Sequence, residues 1–161
     1  MVTSIKKYAI ALGYYSDCYF KDLSLRVKHG EKDAILEVAP KLASFVNKDS
    51  VLVPIPGHLG ECTYTWEMAK AIAKISGATI IDALGGFARK SSYECKQEGK
   101  LHNKAVWFFK REDVPAKKHI VLIDNVVATG ETANAARMAL GNRGVVLAIS
   151  ISSRNKKHKV A

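Results

Sequence analysis

Two kinds of hydrophobic pattern alternate along the chain. Short apolar runs closed by Pro, Gly or Asp are typical of buried strands, and they occur at residues 7–15, 50–57, 78–84, 119–124 and 144–151. Between them, apolar residues recur at helical spacing in four segments, at residues 18–30, 31–48, 63–77 and 131–142. Strands that alternate with helices predict βαβ units, and therefore an α/β fold whose parallel sheet is covered by helices on both faces.

Local features qualify this pattern. Gly13 predicts a bend in the first strand, and Pro40 predicts a kink or a boundary in the second helix. Thr63 and Gly77 are the expected cap residues of the third helix. Residues 85–105 are polar, bounded by glycines and without a clear period, which is typical of a functional lid or a disordered loop.

The size of the chain favours one domain. Its 161 residues, 48% of them hydrophobic, are enough for one full core, so we expect a single domain over residues 1–161. Cys18, Cys62 and Cys95 show no CxxC spacing, which favours a reducing compartment over a disulfide framework or a zinc ribbon. No segment reaches the roughly 18 apolar residues of a membrane span, and the N-terminus is a poor match to a signal peptide. We therefore expect a cytoplasmic protein with no membrane contact.

The net charge of +10 indicates an anionic partner. Lys and Arg are spread along the chain and are densest at Arg89–Lys90, Lys110–Arg111, Lys117–Lys118 and a basic tail at residues 154–161. Such a surface fits either nucleic acid or a small phosphorylated ligand. Because the charges are scattered, the pattern favours the small ligand, and nucleic acid stays the less favoured alternative.

The stretch HIVLIDNVVATGET, residues 119–132, places polar groups directly after a buried strand. Ligands of open parallel sheets bind at the carboxyl ends of the strands, where Asp124 would lie. The small residues that follow lead into a helix N-terminus, whose amide groups and positive dipole end bind anions. A carboxylate beside them accepts hydrogen bonds from neighbouring hydroxyls. The stretch therefore predicts a site for a phosphorylated sugar.

The same residues resemble the phosphoribosyl-diphosphate (PRPP) signature of type I phosphoribosyltransferases. That signature has four apolar residues, an acidic pair, two apolar residues and a Thr-Gly turn that ends in Thr, and here the second acid is Asn125. The resemblance implies that Asp124 and Asn125 are catalytic and hold the ribose hydroxyls. Asn125 brings no charge toward the cationic state expected at C1 of the ribose. The implied ligands of the 5′-phosphate are the loop residues Ala128, Thr129, Gly130, Glu131 and Thr132.

Two further segments fit this family. Its members bind pyrophosphate in a turn after an earlier strand, and the matching turn consists of Pro56, Gly57, His58, Leu59 and Gly60. A flexible loop with basic residues closes over the pyrophosphate, and its candidates are Arg89, Lys90 and Lys96. The implied fold is a type I phosphoribosyltransferase-like (Rossmann-like) parallel sheet flanked by helices, with residues 1–48 as a small N-terminal hood.

The order of motifs resembles the ComF-like branch of the family. A Tyr-containing entry strand, a helix ending in LRVKHG, a VPIP strand, a basic loop and the PRPP motif follow one another as in ComF-type proteins. Two departures stand out: the N-terminal Cys-rich zinc module is missing, and ECTYTWEMA replaces the Arg-Gly-Phe-Asn-Gln stretch. A role in DNA uptake is therefore not implied.

The resemblance implies a reaction and its partners. The phosphoribosyl group of PRPP would pass to a nitrogen acceptor, a nucleobase of the salvage type that meets the hood, with release of pyrophosphate. Mg²⁺ would act with PRPP by bridging its pyrophosphate and ribose oxygens, without direct protein ligands. Homodimers are common in the family, so a homodimer is also implied. Asn125, the net charge and the basic tail leave an alternative open: a catalytically weak PRPP-sensing or nucleic-acid-binding regulatory protein on the same fold.

Overall fold

The computed structural model of the chain describes residues 3–6, 8–99 and 106–152, without the side chains of residues 3–6, 92, 93 and 96. The strands in these ranges are β1 (Thr3–Lys6), β2 (Ala9–Tyr14), β3 (Ser50–Pro54), β4 (Thr79–Ile80), β5 (Leu84–Gly86), β6 (Phe108–Lys110), β7 (His119–Ile123), β8 (Val126–Val127) and β9 (Val145–Ile151). The helices are α1 (Cys18–Lys28), α2 (Lys32–Ala43), α3 (Tyr64–Ser76), α4 (Ser92–Gln97) and α5 (Glu131–Ala139).

The main sheet has the strand order β1-β2-β9-β7-β3-β4, and β8 extends it by pairing with β9. Strands β2, β9, β7, β3 and β4 run parallel to one another, whereas β1 is antiparallel to β2. Parallel neighbours need crossover connections, and the helices of the chain supply them. The prediction of a mostly parallel α/β sheet is confirmed.

Both faces of the sheet are covered. Successive residues of a strand point to opposite faces, so Val121 packs with α1, α2 and α3, while Leu122 packs with α5. The same alternation holds in β3, where Leu52 faces the three-helix side and Val53 faces the α5 side. Burial on both faces explains why the central strands are continuous apolar runs in the sequence.

The sequence predicted a bend at Gly13. In the structure Gly13 lies within the regular strand β2 and pairs with Ser150 of β9. A Cβ atom at this position would lie only 2.2 Å from the ring of Phe20 in α1. The glycine is therefore explained by the close approach of an aromatic ring and not by a turn.

The polar segment over residues 85–105 contains regular elements that its sequence pattern does not predict. Strand β5 pairs antiparallel with β6 in a separate two-stranded sheet, and α4 lies between these strands in the chain. The preceding strand is shorter than predicted, since β4 covers only Thr79–Ile80. Pro40 lies within the last turn of α2, and Gly77 ends α3 in the left-handed conformation expected of a C-terminal cap.

Residues 8–48, which belong to the predicted hood, contribute elements to the main body of the protein. Strand β2 lies beside β9 in the main sheet, and the buried faces of α1 and α2 share one hydrophobic cluster with β3, β7 and α3. Phe20 packs against this cluster, while Tyr19 is 45% exposed and donates a hydrogen bond to Glu37. Within the described residues, no helix is long and apolar enough to cross a membrane.

Candidate functional site

Asp124 follows β7 at the edge formed by the carboxyl ends of the parallel strands, which we call the carboxyl edge. Its side chain is buried, and the backbone N–H of Asn125 donates to its Oδ1 over 2.7 Å. Burial raises the pKa of Asp124 to about 7, although hydrogen bonds from Asn125 and Val126 and the nearby Arg89 and Lys28 charges oppose the rise. A carboxyl group with such a pKa is a candidate for a functional site.

Arg89 and Tyr64 lie within electrostatic reach of Asp124. Burial lowers the pKa of Arg89, and the nearby Tyr64 and Asp124 oppose this shift. Burial also raises the pKa of Tyr64, and Asp124 adds to the rise. Tyr64 is the first residue of α3, the helix that follows the predicted pyrophosphate turn at residues 56–60. The sequence analysis did not single out Tyr64, although its place at the start of the helix after the turn is a signal that could have done so.

The Asn125 side chain has a protein partner. Its Nδ2 donates to the backbone carbonyl of Ser24 in α1 over 3.1 Å. The backbone carbonyl of Asn125 accepts from the N–H groups of Ile149 and Ser150 in β9, each over 3.1 Å. The hydroxyls of Ser24 and Ser150 are 2.7 Å apart, so a buried polar network joins α1, Asn125 and β9. The structure thus places Asn125 beside Asp124, with its amide turned to α1.

The loop that the sequence assigned to the 5′-phosphate leads into α5. Gly130 is its N-terminal cap residue, with a φ of 89°, and α5 begins at Glu131. The Oγ1 of Thr129 accepts from the Glu131 N–H over 3.3 Å, and Ala128, Thr129 and Glu131 are exposed. The first amides of a helix have no partner within it, and the helix dipole places partial positive charge there. The loop can therefore receive an anion, with Thr132 in the first turn.

The predicted pyrophosphate turn lies at the same edge. Strands β3 and β7 are paired with Pro54 opposite Ile123, and the N–H of Ile55 donates to the carbonyl of Ile123 over 3.0 Å. The turn closes when the Gly60 N–H donates to the Gly57 carbonyl over 3.0 Å. The chains that follow β3 and β7 therefore leave the sheet side by side, the first into residues 56–60 and the second through Asp124.

Gly60 fits this turn for two reasons. Its φ is +87°, which L side chains rarely adopt, and a Cβ atom there would lie 2.4 Å from the carbonyl oxygen of Gly86. In return, the Gly86 N–H donates to the Gly60 carbonyl over 3.1 Å. The turn is thus bound to the chain that follows β5. Pro56 is buried, His58 is half-buried and Leu59 is 66% exposed.

The structure separates the basic residues that the sequence grouped as a flexible loop. Arg89 lies on the turn, since its backbone N–H donates to the His58 carbonyl over 2.7 Å and its Nη1 donates to the Gly57 carbonyl over 3.3 Å. Lys90 instead pairs with Glu98 at 2.7 Å, beyond the end of α4. The side chain of Lys96 and the basic tail lie outside the described residues. Of these residues, Arg89 is the one brought to Asp124.

A metal bound only by protein side chains has no obvious place in the described part of the chain. No three side chains of His, Cys, Asp or Glu come together there in a group that could hold an ion. At the carboxyl edge, Asp124 is the buried carboxylate. A hard cation at this edge would need oxygen ligands from a bound substrate.

No protein-family model matches this chain, and no curated protein matches it. Among solved structures it is similar to an allosteric regulatory enzyme of purine biosynthesis, with 18% identity and a TM-score of 0.38, over 65% of this chain and 22% of that one. It is also similar to a hypoxanthine phosphoribosyltransferase from Staphylococcus aureus, with 16% identity and a TM-score of 0.43, over 88% of this chain and 70% of that one.

A purine phosphoribosyltransferase from Pyrococcus horikoshii Ot3 is a further similar structure, with 16% identity and a TM-score of 0.43, over 83% of this chain and 78% of that one. The chain spans only about a fifth of the length of the regulatory enzyme (22%). Identities and TM-scores this low assign neither a family nor an activity.

Proposed function

We propose that this protein is a type I phosphoribosyltransferase, which transfers the phosphoribosyl group of PRPP to a nitrogen acceptor and releases pyrophosphate. One observation carries the proposal: the buried Asp124 lies at one sheet edge between a helix-N-terminal loop, residues 128–132, and a glycine-containing turn, residues 56–60. PRPP has one anionic group at each end and two ribose hydroxyls between them. The order of motifs in the chain supports the ComF-like branch of this family.

Each part of the edge has a proposed ligand. The amides and hydroxyls of residues 129–132, at the N-terminus of α5, bind the 5′-phosphate. The Asp124 carboxylate accepts hydrogen bonds from the ribose hydroxyls. The turn at residues 56–60 and the Arg89 guanidinium, which lies on it, bind the pyrophosphate.

The proposed reaction needs little covalent chemistry from the protein. The bond between C1 of the ribose and the pyrophosphate oxygen breaks, pyrophosphate leaves with the bonding electrons, and the acceptor nitrogen forms the new bond to C1. Positive charge develops on the ribose ring meanwhile, and the Asp124 carboxylate stabilises it when ionised. Positioning of the two reactants supplies much of the remaining rate.

We propose that Mg²⁺ binds to the site together with PRPP. Magnesium sites in proteins often use one or two carboxylates together with substrate phosphate oxygens and waters. Here the ion would be held through oxygens of PRPP and water, while the buried Asp124 carboxylate binds the ribose hydroxyls. When bound, the ion would neutralise charge on the leaving pyrophosphate. We propose a nucleobase as the acceptor.

A second function is favoured by the position of Asn125. Its amide is bound to the Ser24 carbonyl, so position 125 brings no second negative charge beside Asp124. A protein with this site could bind PRPP and report its concentration without turnover. PRPP binding is common to both functions, and pyrophosphate release distinguishes them.

Calorimetric titration with PRPP, with and without Mg²⁺, tests the site. We expect Mg²⁺-dependent binding that Asp124→Ala abolishes and Asp113→Ala leaves intact, because Asp113 is an exposed acid paired with Lys110. A panel of nucleobases then tests transfer through pyrophosphate release. Binding without release with any base supports the sensing function, and absence of PRPP binding overturns both.

A further inference from the structure

A cavity lies at the edge opposite Asp124, formed by the amino ends of the parallel strands, which we call the amino edge. It has a volume of about 330 Å³ and is lined in part by Tyr8, Lys118, His119, Arg137 and Arg143. His119 is the first residue of β7, and Tyr8 directly precedes β2. Nothing in the proposed transfer reaction uses this edge.

Arg137, which lines the cavity, is held in place by backbone carbonyls. Its Nε donates to the Gly144 carbonyl over 2.9 Å, and its Nη2 donates to the Asn142 carbonyl over 2.8 Å. Its guanidinium carbon lies 4.2 Å from the centre of the Tyr8 ring, a cation–π contact. Within the described part of the chain, these bonds leave its Nη1 group without a hydrogen-bond acceptor.

Arg143, which also lines the cavity, is fixed in a similar way. Its Nη1 donates to the Val114 carbonyl over 3.1 Å, and its Nη2 lies 2.8 Å from the Pro115 carbonyl and 3.0 Å from the Ala116 carbonyl. These contacts hold the chain before β7 against the loop before β9. Both guanidinium groups are therefore preorganised, which lowers the entropy lost when they bind a ligand.

Among the described residues that line this cavity, no acid balances the positive charge. Arg26 and Arg111 each contact carboxylates, at 2.8 Å from Glu31 and 2.8 Å from Glu61 respectively. Arg137 and Arg143, in contrast, are bonded to neutral carbonyls, and no Asp or Glu is among the residues that line the cavity. Lys118, which also lines the cavity, adds a third cation. Fixed cations in a concave surface concentrate anions.

We propose that the cavity at the amino edge binds a small anion that carries phosphate groups, of the size of pyrophosphate or a mononucleotide. The fixed guanidinium charges of Arg137 and Arg143 attract phosphate oxygens, and the Nη1 group of Arg137 can donate a charge-assisted hydrogen bond to one of them. A volume of about 330 Å³ is at the lower end of ligand cavities, which suits a small molecule better than a polymer. The site is independent of the proposed transferase function, since it shares no residue with the carboxyl edge.

Titration with inorganic pyrophosphate, followed by NMR of backbone amides, tests this site. The position of the shifted amides separates the two edges: Gly144 and Val145 report the amino-edge cavity, and Gly57 and Gly60 report the turn at the carboxyl edge. We expect saturable shifts at Gly144 and Val145. No saturable shift there up to about 10 mM pyrophosphate, the range of weak sites, overturns the proposal, whatever happens at Gly57 and Gly60.

A matched pair of charge reversals tests the residues. Lys118→Glu changes a lining residue, while Lys117→Glu makes the same change at an exposed neighbour that does not line the cavity. We expect the affinity at Gly144 to fall about tenfold in the first variant and less than about threefold in the second, because the Coulomb interaction weakens with distance and is screened by salt. Equal losses would reveal a general charge effect and overturn the site.

A third arm separates small anions from polymers. A single-stranded oligonucleotide offers the same phosphate chemistry in a macromolecule. We expect pyrophosphate to shift the amide signals of Gly144 and Val145 whether or not the oligonucleotide is present. If only the oligonucleotide shifts these amides, the small-anion site is wrong and the edge is a nucleic-acid contact.

Discussion

The side-chain amide of Asn125 donates a hydrogen bond to the backbone carbonyl of Ser24 over 3.1 Å, across 101 positions in the chain. Both residues are buried. The bond connects α1 to the residue that follows Asp124. Because α1 covers the sheet face opposite α5, the candidate site is positioned from that face as well. An aspartate at position 125 could not donate this bond unless it were protonated.

We predict that Asn125→Asp destabilises the protein. The variant places a carboxylate where the Ser24 carbonyl needs a donor, and the loss of a buried donor costs about 1–3 kcal/mol in the free energy of unfolding. Urea denaturation measures this cost. Asn134→Asp is the control, because Asn134 is exposed in α5 and the change there is expected to cost less than about 0.5 kcal/mol.

The same variant distinguishes two roles for position 125. If Asn125 acts on the ribose, Asn125→Asp restores the acidic pair of the PRPP signature and should increase pyrophosphate release. If Asn125 positions α1, the variant loses stability and gains no activity. A stable variant with faster pyrophosphate release would contradict the positioning role.

Asp124 predicts a dependence of stability on pH. Its pKa is about 7 in the folded protein, against about 3.9 in an unfolded chain. Between these values the folded state binds more protons than the unfolded state, so stability falls as the pH rises from about 4 to 7 and then stays level. Below about pH 4 both states are protonated and the contribution is fully present.

The variant Asp124→Asn lacks this titration. We expect the difference in the free energy of unfolding between Asp124→Asn and the wild type to grow in favour of the variant from pH 4 to pH 7, by up to about 4 kcal/mol. Urea denaturation at several pH values between 4 and 8.5 measures it. A difference that is constant with pH would show that Asp124 is not buried in a neutral form.

The sequence predicted the elements whose signal is local. Five apolar runs and four amphipathic segments gave the parallel sheet and its long helices, because strand and helix periods are visible within a few residues. Asp124 was found for the same reason: an acid that follows a buried apolar strand stands out, and the structure places it at the end of β7.

Features set by distant contacts were not predicted. Gly13 looked like a bend because the ring of Phe20, which explains it, comes from another element. Strands β5 and β6 are short, and their pairing brings together residues separated by more than twenty positions, so no local period marks them. The partner of Asn125 lies in α1. In each case a tertiary contact outweighed the local pattern.

Gly60 gives a prediction for the pyrophosphate turn. Gly60→Ala combines a positive φ with a Cβ only 2.4 Å from the Gly86 carbonyl oxygen, so we expect a loss of about 2–4 kcal/mol in the free energy of unfolding. Gly30→Ala is the matched control, since Gly30 has a φ of +79° but nothing within 4 Å of the added Cβ. It should cost only the backbone strain, about 1–2 kcal/mol. Equal costs would show that the turn does not depend on contact with Gly86.

Arg89 and Lys90 are adjacent in the chain and differ in their contacts, so they test which charge serves the site. Arg89→Gln removes the bond to the Gly57 carbonyl and a positive charge near Asp124. We expect PRPP affinity, measured by calorimetry, to fall about tenfold or more, because hydrogen bonds to charged groups contribute about 1.5–3 kcal/mol. Lys90→Gln loses an exposed pair with Glu98, and its PRPP affinity should stay within about threefold of the wild type.

Two outcomes would contradict this prediction. If both variants lose PRPP affinity equally, the charge of the segment matters and the contact of Arg89 with the turn does not. If neither variant loses affinity, PRPP is held without this segment.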